Sequence, residues 1–318
     1  FADEHPEAVG AVWLTGLQPF PLMRLAGESL AGRVGILHMY PLSQHELYGH
    51  GPLEKFDLTI PALKERLAER KSALLPEIYR RAFQGWMPAV ANGRSGNPGR
   101  YYSSYMQTYV ERDVRDLDKG ADVVQFAKFM AAVAAQVGQL LNLESLTRDV
   151  DIPRAKAQEW LGILQQSDIV FLLHPYSNNA LKRAIKTPKV YFTDTGLAAW
   201  LGRWSSPQTL EAGALSGQIF ENYVVAELVK SVGNSGDNAL LWFYRDRDAR
   251  EIDVVMERDG KLYPIKIKRS ANPQKRDVKA FDLLERSLLT VGEGALVCMK
   301  EQLGALDSTC LVVPAWGI

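Results

Sequence analysis

The fold of this chain is decided by two stretches of sequence, Tyr244-Arg-Asp-Arg-Asp-Ala-Arg-Glu-Ile-Asp253 and Tyr263-Pro-Ile-Lys-Ile-Lys268. Asp259-Gly260 lies between them and is a two-residue turn signal, so the stretches predict the two strands of a hairpin. Such a hairpin would bring carboxylates and a lysine around one Mg²⁺ ion. The pattern therefore predicts the core of a metal-dependent nuclease.

Phosphodiester hydrolysis needs a hard cation that polarises the phosphoryl group and activates water. We predict Glu221 and Asp253 as catalytic and metal-ligating residues and Lys268 as the catalytic cation. Lys266 stands where a third carboxylate belongs, and its ammonium would compete with Mg²⁺. Glu251 shares a strand face with Asp253 and is a candidate replacement. Two alternatives stay open: a solvated helix acid at Glu221, and a site that has lost its activity.

The composition is that of a globular chain. Its 318 residues are 47% hydrophobic, and 37 basic residues balance 37 acidic ones, so nucleic acid would be bound only through local patches. Two or three domains are expected. No apolar run reaches the roughly 20 residues that span a bilayer, and no signal segment opens the chain, so we expect a cytoplasmic protein without a membrane partner. Cys298 and Cys310 are predicted to be buried apolar fillers.

Two apolar runs near the start, Gly10–Gly16 and Val34–Tyr40, predict buried strands of an open α/β sheet. A helical segment, Pro21–Ala31, joins them. Because the chain begins at Phe1 without an initiator Met, we expect a fragment whose earlier strands are missing.

From about residue 60 to residue 141 the pattern is helical. A core-facing helix is predicted by residues that recur at helical spacing, namely Tyr102, Tyr105, Met106, Tyr109 and Leu117. Arg112 and Arg115 follow in its charged end, as solvated residues or, alternatively, as residues that sense phosphate or form an interface.

Residues 126–192 have the order of a winged helix. Helices are predicted over 126–141, 143–150 and 154–165, with Asp151 as N-cap of the third, and strands over 169–173 and 189–192. A local basic surplus fits contact with phosphates. It comprises Arg148, Arg154, Lys156, Lys182, Arg183, Lys186 and Lys189, of which Arg154, Lys156, Lys182 and Arg183 are the candidate nucleic-acid-binding residues. The alternative is a protein-docking or spacer module.

Several blocks, in this order, resemble an uncharacterised prokaryotic family of ATP-binding proteins, with an N-terminal AAA-type ATPase and a C-terminal domain of unknown function. They are Leu14–Gln18, Ser29–Arg33, Pro41–Ser43, Tyr109–Arg115, Gly138–Asn142, Lys186–Leu197, Glu221-Asn222 and Arg245–Lys268. The resemblance implies an α/β multidomain chain: part of an AAA-type α/β core in 1–50, a helical lid in 51–120, a winged-helix domain in 121–200 and a PD-(D/E)XK nuclease-like α/β domain in 201–318.

The resemblance also implies site residues and ligands. Thr15, Gln18 and Arg33 match nucleotide-binding positions, but Leu17 replaces a serine and no Gly-x-x-x-x-Gly-Lys-Ser/Thr occurs. ATP, the family's cofactor, is therefore not expected to bind this chain tightly. Ile265-Lys-Ile-Lys268 replaces the family's Ile-Glu-x-Lys. We expect nucleic acid as partner, with DNA favoured and Mg²⁺ as a candidate cofactor; the alternative is a non-catalytic protein-interaction module.

Overall fold

The structure, a computed structural model, describes Gly10, Trp13 and Gly35 and residues 37–51, 55–109, 114, 122–177 and 186–318. These residues form a mixed α/β fold with helices and a mixed sheet. No helix in these ranges is long and apolar enough to cross a membrane.

The first half is helical. Its helices are α1 (Gln44–Leu47), α2 (Ile60–Ala68), α3 (Leu75–Gln84), α4 (Pro88–Ala91) and α5 (Pro98–Thr108). Proline occupies the first turn of α2 to α5, where its missing N–H has no helical partner to lose. Tyr102, Met106 and Tyr109 are buried, which confirms the predicted core-facing side for these three, whereas Tyr105 is only half-buried and Leu117 lies outside the described residues.

Three helices and a hairpin follow: α6 (Val123–Ala135), α7 (Leu143–Val150), α8 (Arg154–Gln166), β1 (Val170–Leu173) and β2 (Lys189–Phe192). Trp160 packs edge-on against Phe126 and Phe129, at centroid distances of 5.1 and 5.6 Å. The predicted element order is confirmed, but Asp151 is not the N-cap of α8. It ends α7 in the left-handed region (φ 57°), and Pro153 occupies the N-cap position.

The second half begins with α9 (Thr195–Leu201), α10 (Pro207–Ala212) and the 20-residue α11 (Ser216–Ser235). The strands are β3 (Leu240–Arg245), β4 (Glu251–Arg258), β5 (Lys261–Lys268), β6 (Thr290–Val291), β7 (Gly294–Cys298), β8 (Gly304–Ala305) and β9 (Cys310–Pro314). Runs of 3-10 turns cover Lys275–Arg286 and Ala315–Gly317.

The strand order is β3-β4-β5-β7-β9-β8, and β6 pairs with β5. β3, β4 and β5 run antiparallel, whereas β5, β7 and β9 run parallel. The predicted turn at Asp259-Gly260 is confirmed, because both residues have positive φ (51° and 71°), as a two-residue hairpin requires.

The sheet buries both faces, since α11 packs on one and the 3-10 run Lys275–Arg286 on the other. Cys298 and Cys310 are buried in adjacent strands, as predicted.

The predicted buried strand Val34–Tyr40 is wrong for residues 37–40, which form no strand. Leu37 and Met39 are 77% and 90% exposed. A buried strand needs neighbours for its backbone groups, and no described strand pairs with residues 37–40. The other predicted strand, Gly10–Gly16, lies almost wholly outside the described residues.

Candidate functional site

Three carboxylates converge where α11 meets β4. Glu221 lies on α11, and Glu251 and Asp253 lie on β4. One oxygen of each lies within 4.8 Å of the others. The structure thus brings together the two acids predicted as ligands and the proposed replacement.

A β-bulge gives Asp253 its position. Trp242 pairs with Val255 and Tyr244 pairs with Ile252, so β4 carries one extra residue opposite β3. A bulge of this kind locally redirects side chains, and such features are frequent beside active sites.

The Asp253 carboxylate replaces backbone pairing at the end of the hairpin. The described β4–β5 register ends at Val254 and Ile265. Beyond it, the backbone N–H of Ile267 donates to Asp253 Oδ2 at 2.6 Å, and Lys266 Nζ donates to Asp253 Oδ1 at 2.6 Å. Both oxygens of a carboxylate that is 2% exposed are therefore satisfied by strand β5.

Lys189 enters the cluster from β2. Its Nζ donates to Glu221 Oε1 at 2.8 Å and to Glu251 Oε1 at 2.7 Å, and its side chain is 3% exposed. The sequence-based assignment of Lys189 to a phosphate-contacting surface is therefore wrong. The residue is buried because its ammonium bridges two carboxylates 32 and 62 positions away in the sequence.

The backbone of β2 holds Lys189 in place. Val190 N–H donates to Gln139 O, and Leu141 N–H donates to Pro188 O. On α11, the Asn222 amide accepts from Phe192 N–H at 2.7 Å and donates to Phe192 O at 2.8 Å. Asn222 is fully buried, and it fixes the helix turn that carries Glu221 against β2.

Two further groups complete the cluster. Tyr191 OH donates to Glu221 Oε1 at 2.5 Å, and Arg245 donates to Glu251 Oε2 at 3.0 Å. Sequence reasoning missed the roles of Lys189, Tyr191 and Asn222. The sequence did offer one signal for Lys189 and Tyr191, because both lie in a predicted strand whose other residues are apolar.

Burial and charge act in opposite directions on these groups. Burial raises the pKa of Glu221 to about 7, although Lys189 works against this. Burial would lower the pKa of Lys189, but the nearby carboxylates outweigh it and raise that pKa. The pKa of Lys266 is likewise raised by Asp253 against burial, and the pKa of Glu251 is lowered by Lys189 against burial. Both lysines are therefore ammonium ions at neutral pH.

The other predicted site residues lie elsewhere. Lys268 Nζ donates to the Asp277 carboxylate rather than to the acidic cluster. Arg154 Nη1 lies 3.8 Å from Glu144 Oε1, and Lys156 Nζ lies 3.1 Å from Glu159 Oε2. The remaining candidates, Thr15, Gln18, Arg33, Lys182 and Arg183, lie outside the described residues, as do Arg112 and Arg115.

The donor set was compared with the needs of a divalent cation. Its three carboxylates have the right chemistry, but each one is already bonded to the ammonium of Lys189 or Lys266. What the arrangement can do is hold α11, β2, β4 and β5 together through buried ion pairs.

Two family models match the chain. Domain of unknown function (DUF8612) matches residues 75–208, and Domain of unknown function (DUF4143) matches residues 216–317. Uncharacterized proteins of Mycobacterium bovis and Mycobacterium tuberculosis are each 27% identical over 295 residues, which is 92% of this chain and 59% of each relative. The chain thus spans less than two thirds of the length of these relatives. No solved structure matches it significantly.

Proposed function

We propose that the chain binds nucleic acid without cutting it, through a nuclease-like α/β unit whose acidic cluster is neutralised by lysines. One observation carries this proposal. Lys189 Nζ bridges Glu221 and Glu251 at 2.8 and 2.7 Å while Lys266 Nζ bonds Asp253 at 2.6 Å. The three oxygens that would bind a metal ion hold ammonium groups instead.

A bound Mg²⁺ would compete directly with these lysines. It needs oxygen ligands at about 2.0–2.1 Å in near-octahedral geometry, so it would stand between the oxygens that now hold Lys189 and Lys266. Like charges in one buried space repel each other strongly. Without a cation to polarise the phosphoryl group, the cluster lacks the main requirement for phosphodiester hydrolysis.

The arrangement of elements supports a nucleic-acid partner. Residues 123–192 follow the order helix, helix, helix, strand, strand, which is that of a winged helix. A long helix, an antiparallel hairpin with an acid on β4 and parallel strands follow, as in a nuclease-like unit. In the intact protein, we propose that an AAA-type ATPase segment acts with these units, and Thr15, Gln18 and Arg33 stay candidates for nucleotide contact.

The test combines metal binding, retention and cleavage. The wild-type chain, Lys189→Met, Lys266→Glu and the double variant are titrated with Mn²⁺ by calorimetry and incubated with labelled single- and double-stranded DNA and RNA. We expect the wild type to retain nucleic acid without cleavage or Mn²⁺ binding, and the double variant to bind Mn²⁺, because it removes both ammonium groups and adds a carboxylate. Lys128→Met, an exposed lysine on α6, is the control for mutation alone.

Cleavage by the wild type that disappears in Asp253→Ala would overturn the proposal. Such a result would mean that the lysines leave the cluster when substrate and metal bind.

A second candidate function is protein docking by the helical unit. In residues 122–177, the six acidic residues outnumber the four basic ones, and Arg154 and Lys156 already lie beside glutamates. Residues 122–177 by themselves therefore carry no positive charge surplus that would attract phosphates. If the wild-type chain retains none of the nucleic acids, this candidate replaces the first.

A further inference from the structure

A basic segment, residues 268–279, follows directly on the lysine motif of β5. It contains five basic residues and one acidic residue: Lys268, Arg269, Lys275, Arg276 and Lys279, with Asp277. Residues 122–177, which include the candidates Arg154 and Lys156 but not Lys182 and Arg183, contain six acidic and four basic residues and so have no such excess.

The one acidic residue of the basic segment, Asp277, forms its hydrogen bonds within the segment itself. Asp277 has a side chain that is only 5% exposed. It accepts from Lys268 Nζ and from the backbone N–H of Gln274 at 2.9 Å. Desolvation would raise the pKa of Asp277, but these bonds outweigh it and lower that pKa, so the carboxylate stays charged and paired. Lys268 thus serves to neutralise Asp277 and to anchor the segment.

Other bonds order the segment. Met299 N–H donates to Ser270 O at 3.0 Å, which ties the segment to the end of β7. Arg269 donates to Glu211 O at 2.8 Å and to Ser216 Oγ at 2.6 Å. The segment therefore leaves the sheet in a defined direction.

Three cations remain for a ligand. Lys275, Arg276 and Lys279 are exposed, and none of them forms an ion pair with a residue that the structure describes. Their positive charges face solvent, although Lys275 also lies close enough to Asp307, and Arg276 to Asp277, to lower the pKa of those carboxyl groups.

The location suits a ligand of an α/β sheet. β5 and β7 are parallel, so their carboxyl ends, Lys268 and Cys298, lie at one edge of the sheet. Glu251 begins the antiparallel β4 at that same edge. Ligands of open α/β sheets bind outside the carboxyl ends of the strands.

We infer that the basic segment, through Lys275, Arg276 and Lys279, is the surface that holds the phosphate backbone of nucleic acid. This inference rests on the proposed function and assigns the contact to the sheet edge instead of α8. Nucleic acid is favoured over an acidic protein because residues 268–279 contain no aromatic side chain, and their one large aliphatic side chain, Val278, is buried. Protein interfaces depend on such anchors, whereas phosphate contact needs mainly cations.

The test is the salt dependence of binding. Affinity for labelled single-stranded and duplex DNA is measured from about 50 to 200 mM salt for the wild type and for the triple variant Lys275→Gln, Arg276→Gln, Lys279→Gln. The slope of log K against log salt is negative, and each lost phosphate contact makes it shallower by about 0.9 on duplex DNA and about 0.7 on single strands. For the three substitutions we therefore expect the slope to become shallower by about 2 to 3.

A matched triple variant removes equal charge elsewhere. Lys64→Gln, Lys71→Gln and Lys128→Gln alter exposed lysines on or beside α2 and α6, and we expect an unchanged slope. Far-ultraviolet circular dichroism checks that both variants are folded.

The outcomes separate the two proposals. A wild-type chain that retains no nucleic acid would overturn the proposed function, and binding of poly-glutamate lost in the first triple variant would then identify an acidic protein as the partner. Retention by the wild type with equal slopes for both triple variants would overturn this inference alone.

Discussion

Replacement of Lys189 by methionine removes the ammonium that bridges two carboxylates and keeps most of the side-chain volume. The wild-type Nζ lies 2.8 Å from Glu221 and 2.7 Å from Glu251, and it is 3% exposed. After the change, Glu221 keeps the Tyr191 hydroxyl and Glu251 keeps Arg245. Removing one partner of a buried ion pair costs about 3–5 kcal/mol, because a buried charge is left uncompensated.

We expect Lys189→Met to lower the free energy of unfolding by about 3 kcal/mol at pH 8, the lower end of that range, since each carboxylate retains one donor. The loss should shrink at pH 5.5. Burial already raises the pKa of Glu221 to about 7 in the folded wild type, against 4.5 in the unfolded chain. A folded state that binds the extra proton is stabilised as pH falls from 7 to 4.5 and destabilised as pH rises through that window.

The measurement is urea denaturation, followed in parallel by tryptophan fluorescence and far-ultraviolet circular dichroism. Glu221→Gln in the Lys189→Met background removes the uncompensated charge and should recover at least half of the loss. A loss below about 1 kcal/mol at pH 8, or no recovery in the double variant, would refute the view that Lys189 neutralises the cluster.

Three further perturbations test other parts of the fold. Asp194, fully buried, accepts three hydrogen bonds of 2.7 Å, so Asp194→Ala should cost about 3 kcal/mol in urea denaturation. The control Asp282→Ala, at an exposed position, should leave the midpoint unchanged. Gly85→Ala places a Cβ 2.1 Å from the Tyr102 hydroxyl, so it should abolish soluble expression or lower the free energy of unfolding by more than about 3 kcal/mol. The control Gly93→Ala has the same φ of 74° but no atom within 4 Å of the added Cβ, so it should lower the free energy of unfolding by only about 1 kcal/mol. Burial and the neighbouring arginines lower the pKa of His45 from 6.5 to about 4. Between these two pH values the folded state binds fewer protons than the unfolded state, so the protein loses stability as pH falls through this range. His45→Gln should flatten that part of the pH–stability curve, and an unchanged slope would show that His45 is not the group responsible.

Local signals were sufficient for many elements. The Asp259-Gly260 turn was predicted correctly because a two-residue hairpin needs positive φ at both positions. The Asp194 carboxylate accepts the N–H of Leu197 and caps α9, and an Asp at this position is a local signal for the start of a helix. Where two local rules competed, the prediction failed, as at Asp151, which terminates α7 in the left-handed region instead of starting α8.

Some residues of the candidate site could likewise be predicted from local sequence patterns, and others could not. Glu221 and Asp253 could be proposed from sequence because the order of helix, strand and turn limits how the two acids meet. Strand parity correctly placed Glu251 with them. Parity could not distinguish Lys266, which bonds Asp253, from Lys268, which bonds Asp277.

By itself the sequence determined the local elements and the set of charged residues available at the end of the β4–β5 hairpin, because turns, caps and side-chain periodicity depend on near neighbours. Only the tertiary structure decided what neutralises those acids. Lys189 comes from a separate hairpin. Its burial depends on backbone hydrogen bonds between that hairpin and residues 139–141, and on the two hydrogen bonds of the Asn222 amide to the backbone of Phe192. A buried ammonium is stable only where opposite charges from distant segments surround it, and that is a property of packing in three dimensions.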